Sequence, residues 1–195
     1  MDKDLLNLIS EIKKSPEYRS KQREFIEKNF NLVKDKIIDE FENHPVTLEI
    51  AGGIAASNIS GTLGGITNLF SFIGFDSGTD PLEPIRDLLN RSSYRIVETG
   101  GSGSSTIIFD IPTAKDIFKV TPMPWALGRS WAKGIESGIS GLGYYVKQIK
   151  NSRSGLGVQS ENQIRTGVSF KNTKYISNLI NNFEKNLKNL DNITI

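Results

Sequence analysis

The side chains able to do covalent or metal chemistry are few. The chain has one histidine and no cysteine among its 195 residues. Zinc needs several His, Cys or carboxylate ligands held at fixed spacing, and one imidazole does not supply that. Without cysteine the chain forms no disulfide and no thiolate metal site. No calcium-loop spacing of acidic residues occurs. His44 stands directly before Pro45 with no serine or cysteine nucleophile placed beside it, so it reads as a helix-end residue. No serine has glycine at both −2 and +2, so the sharp turn that presents a hydrolase nucleophile is missing. The segment GGSGSST (Gly100 to Thr106) has the glycines of a phosphate loop. It lacks the lysine before Ser/Thr, and TIIFDI after it reads as a strand where a phosphate loop needs a helix. Three Gly-x-Gly triplets lack the third glycine of a dinucleotide fingerprint. Asp110 and Asp116 are separated by Pro112 in a way that fixes no geometry, and they read as surface carboxylates. No cofactor, metal or catalytic group is expected.

Two groups of residues carry contact chemistry instead. Lys147, Lys150, Arg153, Arg165, Lys171 and Lys174 have only Glu161 against them. With Tyr144 and Tyr145 beside it, this patch could meet phosphates, an acidic protein, or water alone; no nucleic-acid motif is present. The second group is aromatic: Phe70, Phe72 and Phe75 in one run, Trp125 and Trp131 around Arg129 in another. Tryptophan and arginine tend to dominate the energy of interfaces. This group is expected to contact other subunits, with one tryptophan in the core and the other at the interface. Charge is uneven as well. Residues 1–44 sum to −1, residues 45–112 to −4 and residues 113–195 to +7, which suits association between unlike surfaces or simply describes a solvated exterior.

The elements that must position these groups follow from periodicity. Leu5, Leu6, Leu8, Ile9 and Ile12 predict a short helix ending before Ser15-Pro16. Ile26, Phe30, Val33, Ile37 and Phe41 make one helical face and predict a long helix from Glu17 to Asn43, stopped at His44-Pro45. Each such side chain contributes roughly 1.5–3 kcal/mol when buried. Val46 to Ile50 reads as extended, and Asn68 to Phe75 as a strand. Asp80 is a helix cap with Pro81 at the first helical position and Glu83 at the capping-box position, leading a helix through Leu89. Tyr94 to Glu98 and Thr106 to Ile111 read as a hairpin. Thr113 to Val120 fits a short helix or a strand. Leu142 to Ile149 reads as a strand, and a polar loop follows to Thr166. Asn172 caps a last helix from Thr173 to Leu190, whose stripe is Ile176, Ile180, Phe183, Leu187 and Leu190.

All 18 glycines lie between Gly52 and Gly167. Two glycine-free helical ends therefore flank a glycine-rich middle. The expected fold is α+β, a single domain over residues 1–195. A small antiparallel sheet is packed by the long N-terminal helix and the C-terminal helix, with extended Gly-rich loops or arms. No apolar run is long enough to cross a bilayer. MDKDLLNLISEIKKS lacks the apolar core and cleavage site of a secretory signal, so no export is expected.

The order of these pieces resembles the small neck and tail-completion (minor tail) proteins of tailed bacteriophages. FIEKNFNLVKDKIIDEF leads into HPVTLEIAGGIAASNISGTLGG, a helix followed by an irregular arm. NLFSFIGF with DPLEPIRDLL, and PWALGRSWAKGIESGISGLGYYV, are similar to segments of phage structural proteins. RTGVSFKNTKYISNLINNFEKNLKNL puts an Arg-x-Gly-x-x-Phe lead before the last helix. The resemblance spans Phe25 to Leu190. The first helix and the stretch from Phe70 to Leu89 are additions to the simpler members. It implies a non-enzymatic virion component, assembled in the host cytoplasm and forming a ring, hexameric in the first instance, at the head-proximal end of the tail. Its partners would be copies of itself and other neck or tail proteins: the terminator, the tube and the connector. Contact with packaged DNA would be incidental, and no membrane is involved. A tail terminator or head–tail stopper is the alternative in the same class. A basic nucleic-acid-binding module using the 144–174 patch is the alternative in another.

Overall fold

The computed structural model describes residues 3–64, 67–99, 104–138, 145–146, 158–159 and 170–191. Its α-helices are α1 (Lys3–Lys14), α2 (Pro16–Glu42), α3 (Pro45–Ala51), α4 (Leu69–Ile73), α5 (Glu83–Asn90), α6 (Ala114–Lys119), α7 (Trp131–Ser137) and α8 (Ile176–Asp191). Three two-stranded antiparallel ribbons accompany them among the described residues. These are β1 (Ser93–Thr99) with β2 (Ser104–Asp110), β3 (Pro122–Met123) with β4 (Ala126–Ser130), and β5 (Tyr145–Val146) with β6 (Val158–Gln159). The fold is α+β, with a long N-terminal helix and a C-terminal helix. No helix among the described residues is long and apolar enough to cross a membrane.

The two amphipathic helices pack against each other. On α2, Ile26, Phe30, Ile37 and Phe41 are buried. On α8 the buried row is Ile176, Leu179, Ile180, Phe183 and Leu187. These are the faces that the spacing predicts. The β1–β2 ribbon lies on α2, where Phe30 meets Tyr94 and Phe109 at ring distances of 5.2 and 6.0 Å. Farther out the ribbon is tied to α2 by Gln22 to the Ser105 hydroxyl at 2.8 Å and by an exposed Arg19–Glu98 pair at 3.0 Å. The ribbon runs Ser93 opposite Asp110 through Thr99 opposite Ser104. The expected Gly100–Gly103 tip falls outside the described residues.

Several elements differ from the expectation, each for a local reason. Val46–Ile50 is helical, not extended. The His44 Nδ1 accepts the Val46 N–H at 3.2 Å, and Pro45 occupies the first helical turn. A proline that ends one helix is equally suited to start the next. Asn68–Phe75 is the single-turn helix α4, not a strand. Asn68 Oδ1 accepts the Ser71 N–H at 2.9 Å, and Gly74 closes the turn with φ +87°, a conformation glycine adopts without strain. Four of its five side chains are buried, so its apolar run carries no period by which to tell helix from strand. Helix α5 starts at Glu83 with Pro84, rather than Pro81, in its first turn. Asp80 instead accepts the Leu82 N–H at 2.9 Å and pairs with Arg86 at 2.6 Å. Arg86 also forks onto Glu42, at 2.6 and 3.1 Å, and ties α5 to the end of α2. The ambiguous Thr113–Val120 is helix α6. Its capping box joins Thr113 and Asp116, and the Thr113 hydroxyl, then Lys119, hold the Asp116 carboxyl down at about 2. Of the expected Leu142–Ile149 strand, Tyr145–Val146 is described and is extended.

The cap of α8 is not Asn172. Glu136, on α7, reaches across to it. Its Oε1 accepts the N–H groups of Ser177 at 2.6 Å and Tyr175 at 3.3 Å, and its Oε2 accepts the Ser177 hydroxyl. A carboxylate at a helix N-terminus satisfies orphan donors and complements the helix dipole.

His44 sits at the joint of α2 and α3, its ring tilted 38° against the buried Tyr175 ring at 4.7 Å. Burial lowers its pKa below the ordinary value, against the pull of Glu40. The unfolded chain therefore binds this proton more readily than the folded one. The stability His44 supports is whole above pH 6.5 and is lost as pH falls through 6.5 toward the lower folded value. A His44→Asn variant keeps a cap without the titration. Its melting temperature should fall less between pH 7 and pH 5.5 than that of the wild type, as read by circular dichroism.

Candidate functional site: the glycine-rich arm and its anchors

Between α3 and α4 the described residues 52–64 and 67–68 form an irregular arm. It begins with a single 3-10 turn at Gly53–Ala55. Gly53, Gly61 and Gly64 have φ of +63°, +66° and +60°, the left-handed region that side chains with a Cβ enter at a cost. A Cβ at any of the three would meet no atom within 4 Å. Backbone conformation, rather than close packing, is what calls for glycine there.

The arm is held at its base by three anchors. The first is Glu49, on α3, whose side chain is fully buried. Its Oε2 accepts the Ser60 N–H at 2.8 Å and its Oε1 accepts the Leu69 N–H at 2.7 Å. One carboxylate thus fixes both the middle of the arm and its far end. A buried carboxylate is tolerable only with such donors. The second anchor is the Asn68 amide, which donates to the carbonyls of Ile54 and Ala56 at 2.9 and 2.8 Å. The third comes from the segment before α8, where the Lys171 N–H donates to the Thr62 carbonyl at 2.8 Å. Phe170, just before it, stacks on Phe72 at 6.0 Å. Thr62 and Leu63 are fully buried between these anchors.

What the arm turns outward is apolar. Ile54 is 63% exposed and Ile59 54%, and Leu48 on the adjoining helix is 46% exposed. Single exposed hydrophobics are ordinary. Two on a loop with a fixed base, with a third on the helix that leads into it, are suited to contact.

The aromatic group lies elsewhere. Phe70, Phe72, Trp125 and Trp131 are all buried in the core, and Phe75 is half-buried against it. Both tryptophans are core, which corrects the expectation of one in the core and one at an interface. Trp125 donates its indole N–H to the Ile73 carbonyl at 2.6 Å. Trp131 meets Phe75 edge-on at 5.7 Å, and Phe75 meets Phe70 at 5.4 Å. Large aromatics fill a small core as readily as they anchor a partner. Only Arg129 of this group is exposed. It lines a shallow groove of about 220 Å³ with Lys133, Ser130 and Ser137.

Of the basic patch, Lys171 and Lys174 are described and exposed. Lys147, Lys150, Arg153 and Arg165 fall outside the described residues. No cluster of three or more His, Cys, Asp or Glu side chains that could hold a metal is present among the described residues. Asp110 and Asp116 line one shallow surface depression of about 200 Å³ together with Arg91. The anchors Glu49, Asn68 and Glu136 are the residues that sequence reasoning missed. The signal open to it was an acidic or amide residue standing within a predominantly apolar run, as in VTLEI and TNLFSFI.

Comparison with known protein families, with characterised proteins and with solved structures finds no match for this chain.

Replacing Glu49 with alanine leaves two enclosed N–H groups without an acceptor, at about 1–3 kcal/mol each. Glu49→Ala should therefore lose on the order of 2–6 kcal/mol of stability in urea unfolding. Limited proteolysis should cut it between residues 52 and 64 at protease levels that leave the wild type intact.

Proposed function

We propose that this chain is a non-enzymatic structural component of a bacteriophage virion, a tail-completion or neck protein that forms a ring at the head-proximal end of the tail. The observation that carries the reading is the arm: a loop fixed at its base by Glu49, Asn68 and Lys171 that presents Ile54 and Ile59 to solvent. A loop with a fixed base and exposed isoleucines is suited to being covered by another protein. A ring subunit needs two unlike surfaces, since ring contacts are head-to-tail. The −4 of residues 45–112 and the +7 of residues 113–195 supply unlike charge.

The resemblance to phage neck proteins rests on segments that meet in space. The helix leading into the arm holds Glu49, and the Arg-x-Gly-x-x-Phe lead ends at Phe170, beside the Lys171 anchor. Two distant parts of the resembling sequence thus serve one purpose, the placing of the arm. The partners are copies of the same chain and adjoining tail or neck proteins, and the protein resides in the virion.

The test is incorporation. Particles assembled with the wild-type chain or with Ile54→Lys/Ile59→Lys are purified, separated into heads and tails, and quantified by mass spectrometry. The substitutions lie at exposed positions, so the melting temperature should stay within a few degrees of wild type. Wild type should appear in the tail fraction at a ring's copy number, and the variant should fall at least tenfold. A chain missing from particles, or a variant incorporated equally, would contradict the reading.

A further inference from the structure

Helix α1 shows a second apolar surface, on a different element from the arm. Leu5, Leu8 and Ile12 are 47, 53 and 51% exposed, and Ile9 is 37% exposed. The four fall on one face of the helix. Helices of about a dozen residues are marginal alone and draw their stability from covering such a face. Helix α2, meanwhile, carries an open groove of about 350 Å³, lined among the described residues by Tyr18, Phe25 and Gln22, with Lys21, Glu24 and Lys28 along its side.

The α1 face cannot cover the α2 groove of its own chain. A single residue, Ser15, separates the two helices. Its N–H bonds the Ile12 carbonyl, and its own carbonyl accepts the Arg19 N–H. An antiparallel helical hairpin needs a loop of about two to five residues. A second copy is free of that restriction.

The two surfaces match in spacing and in charge. Leu5 and Ile12 are seven residues apart, as are Tyr18 and Phe25, and seven residues is two helical turns. Asp4 and Glu11 are also seven apart and border one edge of the α1 face. Lys21 and Lys28, again seven apart, border the corresponding edge of the groove, and Lys21 there exchanges its 2.8 Å pair with Glu24 of its own helix for the incoming carboxylate. When two helices pack antiparallel, like edges meet. That orientation puts Glu11 by Lys21 and Asp4 by Lys28, while Leu5 and Leu8 straddle Phe25 and Ile12 meets Tyr18. A parallel orientation would set the acidic edge away from the lysines.

We propose that α1 of one copy docks antiparallel in the Tyr18–Phe25 groove on α2 of a second copy, with Glu11 facing Lys21 and Asp4 facing Lys28. Because donor face and acceptor groove are different surfaces of one chain, the contact can repeat from subunit to subunit and close a ring. It rests on the self-assembly part of the reading above and not on a place in the virion.

The chain has no cysteine, so an introduced pair reports one contact. Leu5→Cys and Phe25→Cys are made in separate preparations, mixed, and oxidised. The mixture should give a disulfide-linked species of twice the chain mass, at least fivefold more than either preparation alone. A mixture that links no better than the single variants overturns the proposal. Light scattering gives the second readout. Glu11→Lys should weaken self-association at least fivefold, and Glu11→Lys/Lys21→Glu should restore it. A double variant no better than Glu11→Lys, or a wild type that stays monomeric at about 100 μM, where a contact with a Kd of about 1 μM would be saturated, overturns it too. Absence from particles together with successful crosslinking would remove the virion reading and leave this contact standing.

Discussion

A carboxylate taken fully out of water needs donors, and Glu49 finds both of its donors on the backbone of a glycine-rich loop. Its two oxygens hold Ser60 and Leu69, nine residues apart in sequence, against one helix. Charge-assisted bonds of this kind are among the stronger ones available in a protein interior. They replace the regular hydrogen-bond ladder that the described arm, beyond its single 3-10 turn, does not make. Helix α4 begins at Leu69, so the same carboxylate sets where that helix starts. The core aromatics Phe70 and Phe72 follow from α4, and so does the Ile73 carbonyl to which Trp125 donates. The placement of the arm and of the aromatic residues on α4 thus depends on this carboxylate together with Asn68, which caps the same helix.

A second carboxylate works in the same manner at the other end of the chain. Glu136 reaches from a seven-residue helix to the first turn of α8 and satisfies the donors there. The hydroxyl of Tyr175, just before that turn, lies 2.6 Å from the Thr47 hydroxyl on α3, and burial raises its pKa. The last helix is therefore joined to the helix that carries Glu49. The two glycine-free ends are scaffold, and the middle is displayed from them. The aromatic residues stiffen the middle from within, while isoleucines and leucines of ordinary size form the outward surfaces on the arm and on α1.

The parts of the fold legible in sequence were those with a long period. Helices α2 and α8 each bury the stripe that their spacing marks, because five apolar side chains at helical intervals leave only one face to bury. The β1–β2 ribbon was legible from two β-rich runs about a glycine cluster. The short elements α3 and α4 were not: α4 is buried on four of its five positions, and the seven residues of α3 are too few to set a period. Their caps, His44 and Asn68, carried the information instead. The aromatic residues were misjudged because composition alone does not separate an anchor for a partner from a filler of a small core. The arm was legible as irregular from its glycines. Its anchors were not, because they join residues 49, 69 and 171, and no local pattern connects them.

The most direct measurement is cryo-electron microscopy of intact particles at a resolution that traces side chains. If the chain is a neck or tail-completion subunit, it will be found as a closed ring at the head-proximal end of the tail, with residues 52–64 of each copy against a neighbour and Ile54 and Ile59 covered. A particle without the chain, or one in which those residues face solvent in every copy, would contradict it.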